Sequence, residues 1–345
     1  MRNLGNDAVL IASHSARVMV SMLAEEGADI AAVLAPLDLS PTKLEDPDCV
    51  VTIGQELALQ RRFAQLTKAT PGLWYRTGLR YGALTYGNLG LASLCADTVR
   101  EALAMFSERF QDLNYSLLHY RQHVSEKGEI FIETSDEDVA EDLWHFSQER
   151  SLGSVIRLLH DLAPDTQTIA RIESALPEAP AWLNSSELEG APISFGHARS
   201  RWYLVDGVME RRLPLANQFL EATYRRLCER LVDRMNAQAS LVSRVYMLLL
   251  ANASQNLSIG RVASELCLHE RSLQRKLAES GLTFSGLVAQ VKEQRAKSLL
   301  RSGEMTIGDI AEALGFNEIA SFSHAFKRWT GKAPLEYRRG RRAAC

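Results

Sequence analysis

The sequence predicts an α+β N-terminal domain followed by an all-α domain in which a long helix joins two helix–turn–helix units. Three observations predict this. Over residues 1–236 the apolar period switches between helical and alternating, and nothing repeats. Over 240–337 only the helical period remains, cut by short breaks at 252–257, 267–269, 281–282, 302–303 and 315–317. Charge divides in nearly the same place. Residues 251–345 hold 15 Lys and Arg against 9 Asp and Glu, a net of +6, whereas residues 1–250 hold 24 against 33, a net of −9. The expected boundary puts an α+β domain at 1–236 and a helix–turn–helix domain at 237–345.

Composition sets the outer limits. A chain of 345 residues, 46% hydrophobic and 23% charged, is long enough for two or three domains with packed cores. That excludes a largely disordered or collagen-like chain. No apolar run reaches the ~18 residues of a membrane span, and the first fifteen residues lack a signal-peptide pattern. Cys49, Cys95, Cys228, Cys267 and Cys345 are odd in number and form no CxxC pair, so the expectation is a cytoplasmic protein with no zinc site, disulfide framework or cofactor.

In order, residues 14–26 carry helical apolar spacing and stop at Gly27. Residues 52–68 form a second helix, with Thr52 as a cap and Pro71-Gly72 beyond. The stretch 81–94, rich in glycine and apolar residues, reads as turns and short buried strands. Asp97 is expected to cap a helix running through Phe110. Alternation at 115–124 and 129–134, joined by Glu126-Lys127-Gly128, is a hairpin. A helix follows from Asp138 to Leu162, ended by Pro164; 168–174 fits either a strand or half a helix. Residues 177–192, with several prolines, read as loop, and strands fall at 193–197 and 201–205.

The helix expected at 214–236 carries Leu215, Phe219, Thr223, Leu227 and Leu231 at spacing four. Packing on its own domain and a dimer seam both fit that row, although spacing four drifts faster than a coiled-coil seam. His119 and His123 share a strand face without a third ligand of fitting type, which argues against a metal. Trp74, Tyr75, Tyr81, Tyr86, Trp144, Phe146, Trp202 and Tyr203 suit either core or the wall of a small-molecule pocket.

The tail carries the chemistry. Ser258 can cap a helix holding Val262, Ala263 and Leu266. A turn at 267–269 follows, with Cys267 expected as a small buried hydrophobe. The next helix turns Leu273 and Leu277 inward and leaves Arg271, Gln274, Arg275 and Lys276 outside. Arg and Gln suit base edges, because each makes two parallel hydrogen bonds in the major groove. The pattern recurs after a connecting helix at 284–301. Thr306 and Asp309 make a capping box, Gly315 supplies the turn, and the helix beyond Asn317 turns Phe322, Phe326 and Trp329 inward. Two such units on one rod suit successive major-groove faces about 34 Å apart.

LQRKL, followed by LGFNEIASFSHAFKRWTGKAPLEYR, resembles the C-terminal signature of the AraC/XylS family of bacterial transcription regulators. More weakly, GLRYGALTYGNLGLASL, EALAMFSERF, GEIFIE and SFGHARSRWYLVDGVMERRLPLAN resemble the arabinose-binding-type N-terminal domain of one branch of that family. The resemblance implies a DNA-binding transcriptional regulator, not an enzyme, controlled by a small-molecule effector. Its implied partners are double-stranded DNA, the effector and RNA polymerase, with a homodimer as an open alternative and no membrane. It implies base contacts from Arg271, Gln274 and Arg275, then from Asn317, Glu318, Ile319, Ala320 and His324, with Lys327 and Arg328 on phosphates. For Ile319 and Ala320, contact with thymine methyls and filling between helices both remain open. It assigns no effector-binding residue.

Three positions depart from the family pattern. His269 stands where Ser or Asp caps the first recognition helix, His324 where Arg is common, and Ala333 where Ser or Thr is usual. The competing class is a DNA-repair alkyl-transfer enzyme carrying the same DNA-binding module. That chemistry needs a metal-activated cysteine among clustered ligands, which these scattered cysteines do not supply.

Overall fold

The computed structural model describes residues 9–342, except 47–48, 111–112, 115, 137–138, 184–187, 189, 239, 253–256 and 303–304. One compact unit is Leu10–Ala237; a second contains Gln238–Cys345. The expected helix start at Asp138, the break at Gly303, most of the break at 252–257, and Cys345 lie outside the described residues.

The first unit opens with β1 (Leu10–Ala12), α1 (His14–Glu25), α2 (Ile30–Leu34), α3 (Pro41–Glu45), β2 (Val50–Thr52) and α4 (Ile53–Thr67). β1 and β2 pair antiparallel. α1 ends where Gly27 takes a φ of +80°, the left-handed region open to glycine. α4 starts on a full capping box. Thr52 Oγ1 accepts from Gln55 N at 3.1 Å, and Gln55 Oε1 accepts from Thr52 N at 3.0 Å.

Next come α5 (Leu73–Gly78), α6 (Asn88–Leu94), α7 (Val99–Ala104) with a π-helical turn at Met105–Arg109, β3 (His119–Val124), β4 (Ile130–Ser135), α8 (Trp144–Leu162), β5 (Ile169–Glu173), β6 (Ile193–Ser194), β7 (Arg201–Leu204) and α9 (Gln218–Gln238). The sheet order is β3-β4-β7-β5-β6, antiparallel except for β5 with β6. α5 and α8 meet backbone to backbone. A Cβ on Gly78 would lie 2.1 Å from the Arg150 carbonyl oxygen, and one on Gly153 would lie 2.4 Å from that of Tyr75.

Two apolar cores result. One holds Ile11, Met19, Leu59, Phe63 and Phe146 around α1 and α4. The other holds Leu152, Ile156, Ile172 and Trp202 between α8 and the sheet. Tyr86, Tyr120 and Trp144 pack against both. The sheet also carries an ion-pair ladder, with Glu133 between Arg199 and Arg201 at 2.7 Å each and Arg171 on Glu129 at 2.7 Å. Burial opposes ionisation of Glu133, but the two arginines prevail and hold its pKa below the usual range.

Three expectations are corrected here and one open alternative is settled. Residues 83–94 are helical, a 3-10 turn at Ala83–Tyr86 followed by α6. Gly90 explains the tight packing: a Cβ there would lie 1.6 Å from the Ala83 carbonyl oxygen, so glycine marks a close approach between helices where a strand was expected. Thr98, not Asp97, caps α7, accepting from Glu101 N, while Asp97 accepts from Gln218 Nε2. The open alternative at 168–174 resolves to strand, paired with β6 and β7. α9 begins at Gln218, after Leu215, and its apolar row splits. Leu231 packs on the sheet core beside buried Cys228 and Met235, whereas Leu215 and Phe219 stand 61% and 76% exposed.

The second unit is α10 (Leu241–Ala251), α11 (Ile259–Glu265), α12 (Glu270–Glu279), α13 (Phe284–Ser302), α14 (Ile307–Ala313), α15 (Ile319–Thr330) and α16 (Pro334–Arg342). α13 is its rod, touching α10 and also α14, α15 and α16. Ala296 and Leu300 on α13 share a core with Ile310, Leu314, Phe322 and Phe326. Among the described residues no helix is long and apolar enough to cross a membrane.

Candidate nucleic-acid interface

The first helix–turn–helix is α11 and α12. Ser258 Oγ accepts from Arg261 N at 3.2 Å, starting α11. The chain then reverses through Cys267, at a φ of +56°, and Leu268 N donates back to the Ala263 carbonyl at 2.8 Å. That left-handed turn points Cys267 outward. It is exposed, which corrects the expectation of a buried thiol; Leu266 takes the inward place. His269 occupies the N-cap of α12 with extended backbone and no side-chain cap bond, so the departure from the family pattern leaves that helix start uncapped by its side chain.

Leu273 and Leu277 on α12 are buried. Arg271, Gln274, Arg275 and Lys276 are all exposed. Residues three and four apart share a helix face, so Arg271, Gln274 and Arg275 present their donors together, away from the leucine stripe. Arg275 reaches Glu279 at 3.7 Å, with both side chains open to water, so the pair is weak and does not fix the guanidinium.

The second unit is α14 and α15. Thr306 Oγ1 accepts from Asp309 N at 3.2 Å and Asp309 Oδ2 accepts from Thr306 N at 3.1 Å, the expected capping box. The Thr306 bonds hold the Asp309 carboxyl below its usual range. Gly315 makes the turn at a φ of +70°, and Phe316 N donates to the Ala311 carbonyl at 2.9 Å. Phe322, Ala325 and Phe326 anchor α15; Phe316 and Trp329 are half-buried against them.

Asn317, Glu318, Ile319, Ala320, His324, Lys327 and Arg328 are exposed. Ile319 is 54% exposed, and its Cδ1 lies 3.4 Å from where a Gly308 Cβ would sit, so part of the side chain packs on α14 and part stays open. At Ala333 the first turn of α16 is closed by Glu336, which accepts from Ala333 N at 3.4 Å. His119 and His123 are exposed on β3, and the described residues contain no cluster of three His, Cys, Asp or Glu side chains fit to hold a metal.

Residues 27–213 match the family model for the arabinose-binding domain of AraC transcription regulators, and residues 262–340 match a helix–turn–helix domain. The first match alone covers more than half of the chain. The chain belongs to the AraC family of transcription regulators. An HTH-type transcriptional regulator of Mycobacterium tuberculosis is 29% identical, over 94% of this chain and 95% of its own. The ornithine utilization regulator of Pseudomonas aeruginosa is 24% identical, over 94% of each. The solved structure of the regulator CdpR from Pseudomonas aeruginosa aligns at 22% identity and a TM-score of 0.41, covering 94% of this chain and 98% of that one. This AraC-family protein is therefore a DNA-binding transcriptional regulator with an effector-binding N-terminal domain. No match supports the alkyl-transfer alternative.

Sequence reasoning missed one group altogether. Glu56 and Gln60 are fully buried, on the same α4 stripe as Leu59 and Phe63. A charged residue inside an apolar stripe was the signal available for them.

Proposed function

We propose that α12 and α15 are the recognition helices of this regulator. Arg271, Gln274 and Arg275 meet base edges from the first; Asn317, Glu318, Ile319, Ala320 and His324 meet them from the second. Lys327 and Arg328 hold phosphates. One observation carries the reading: in both helices the residues in question are exposed, while the anchors Leu273, Leu277, Phe322 and Phe326 are buried. Residues 1–236 serve as the effector domain and 237–345 as the DNA-binding domain. The effector acts by binding two arrangements of the chain unequally. The reading extends to a cytoplasmic regulator without enzymatic activity, to contact with RNA polymerase, and to a homodimer that covers Leu215 and Phe219.

The test is binding to a promoter fragment and to random DNA, over a range of salt. Gln274→Ala is expected to cost about 1–3 kcal/mol on the cognate site and little on random DNA. Lys327→Ala is expected to weaken both alike and to lower the salt slope by about one. Equal loss on both DNAs for Gln274→Ala would remove it from the base-reading set.

A further inference from the structure

A cleft of about 430 Å³ opens on the N-terminal unit where α1, α5 and α8 meet. That volume falls within the roughly 300–1,000 Å³ of small-molecule sites. Its floor is apolar: Met22 and Leu73 are buried and Leu79 is half-buried. Its rim is charged. Glu25 and Glu26 come from the end of α1, Arg76 and Arg80 from α5 and the turn after it, and Arg157 from α8.

The rim charges divide into two sets. Arg80 donates to Glu25 at 2.9 Å, which ties α5 to α1. Arg157 donates to Asp161 at 2.8 Å, and the other oxygen of Asp161 accepts from Ala83 N at 2.7 Å. These pairs brace the walls. Arg76 and Glu26 differ: neither side chain has a hydrogen-bond or ion-pair partner among the described residues, although both line the same cleft. The cleft therefore offers a free cation and a free anion above an apolar floor. Glu26 is also the C-cap of α1, so the partial negative charge of that helix end adds to its carboxylate.

We propose that this cleft is the effector site and that it takes a free α-amino acid with an aliphatic side chain. Arg76 holds the carboxylate, Glu26 holds the ammonium, and the side chain lies on Met22, Leu73 and Leu79. This rests on the reading of residues 1–236 as an effector domain. A planar guanidinium matches a carboxylate through two parallel hydrogen bonds. The ammonium gains from the Glu26 carboxylate and from the end of α1. A simple anion would face Glu25 and Glu26, and a simple cation would face three arginines; a zwitterion answers both free charges at once. The floor also joins the two apolar cores, since Met22 and Leu73 belong to one and Leu79 packs against the other. A ligand spanning them favours one arrangement of α1 against α5 and α8, which is the unequal binding an effector needs.

The experiment is titration calorimetry on the full chain at pH 7 and fixed ionic strength. The probes are L-leucine, L-methionine and L-valine, each beside its amide, which lacks the carboxylate, and its N-acetyl derivative, which lacks the ammonium. Inorganic phosphate is a further arm. At least one amino acid is expected to bind at one site per chain, with its amide and N-acetyl derivative at least about tenfold weaker. Arg76→Gln is expected to weaken the amino acid about tenfold and to close the gap between it and its amide. Glu26→Gln is expected to do the same for the N-acetyl derivative. Both side chains are exposed and unpaired, so neither change should move the ligand-free Tm.

Four results would overturn the proposal: no binding of any of the three amino acids, an amide or N-acetyl derivative binding as tightly as its parent, displacement of the amino acid by phosphate, or an unchanged Kd in Arg76→Gln or Glu26→Gln. The underlying reading fails separately. An amino acid that binds through Arg76 and Glu26 but leaves DNA affinity unchanged keeps the site and removes its regulatory role.

Discussion

Position 324 tests a single side chain of the proposed interface. His324 is exposed on α15. His324→Arg places a permanent cation at this exposed position and is expected to tighten cognate binding and to raise the salt slope by about one. An unchanged affinity and salt slope would place this side chain outside the interface.

Stability has its own titrating residues. Burial, with help from the Arg17 charge, lowers His14 from 6.5 to about 4. Burial alone raises Glu149 from 4.5 to about 7. The two act in opposite directions. A depressed histidine contributes stability that is complete above pH 6.5 and lost as pH falls toward about 4. A raised carboxyl contributes stability that is complete below pH 4.5 and lost as pH rises through about 7. The His14 effect is worth at most about 3 kcal/mol, and the Glu149 effect less, because water screens its part-exposed carboxyl. Glu149→Gln should therefore remove a decline in Tm between pH 4.5 and pH 7, and His14→Gln should remove a decline below pH 6.5, both read from unfolding curves across pH.

At the scale of elements, capping decides where helices begin. α4 and α14 have full capping boxes, α11 has a serine cap, and all three were legible in the sequence because the cap lies within three residues of its partner. α12 has none. His269→Asp or His269→Ser should supply the missing acceptor and stabilise the DNA-binding unit by about 1 kcal/mol, seen as a higher unfolding midpoint in urea. The opposite experiment is Gly90→Ala, where the new Cβ would meet the Ala83 carbonyl at 1.6 Å; several degrees of lost Tm are expected.

Gly90 also explains why 83–94 was hard to read. A glycine selected for close helix packing looks the same in sequence as one selected for a turn. Cys267 was misread for a related reason: which way a turn residue points depends on its φ, here +56°. The exposed faces proposed for recognition were legible because helical spacing alone separates Arg271, Gln274 and Arg275 from Leu273 and Leu277.

Across the whole molecule, the charge asymmetry acquires a physical role. The net +6 over 251–345 sits with the two helix–turn–helix units, where it favours a polyanion, while the acidic remainder does not. The helices of both helix–turn–helix units lie beyond the expected boundary at 236. α13 carries the core that anchors α14 and α15, and α10 contacts both α12 and α13. Residues 238–345 should therefore fold alone, because no described side chain in the core of Ala296, Leu300, Ile310, Phe322 and Phe326 comes from the N-terminal unit. The isolated fragment should give a helical circular-dichroism spectrum and a cooperative thermal transition, and it should bind the cognate site with the salt dependence of the full chain. The full chain should respond to effector; the fragment should not, since its affinity is no longer linked to the N-terminal unit. A fragment that is unfolded, or that binds only random DNA, would mean that the N-terminal unit contributes structure to the recognition helices and not only control over them.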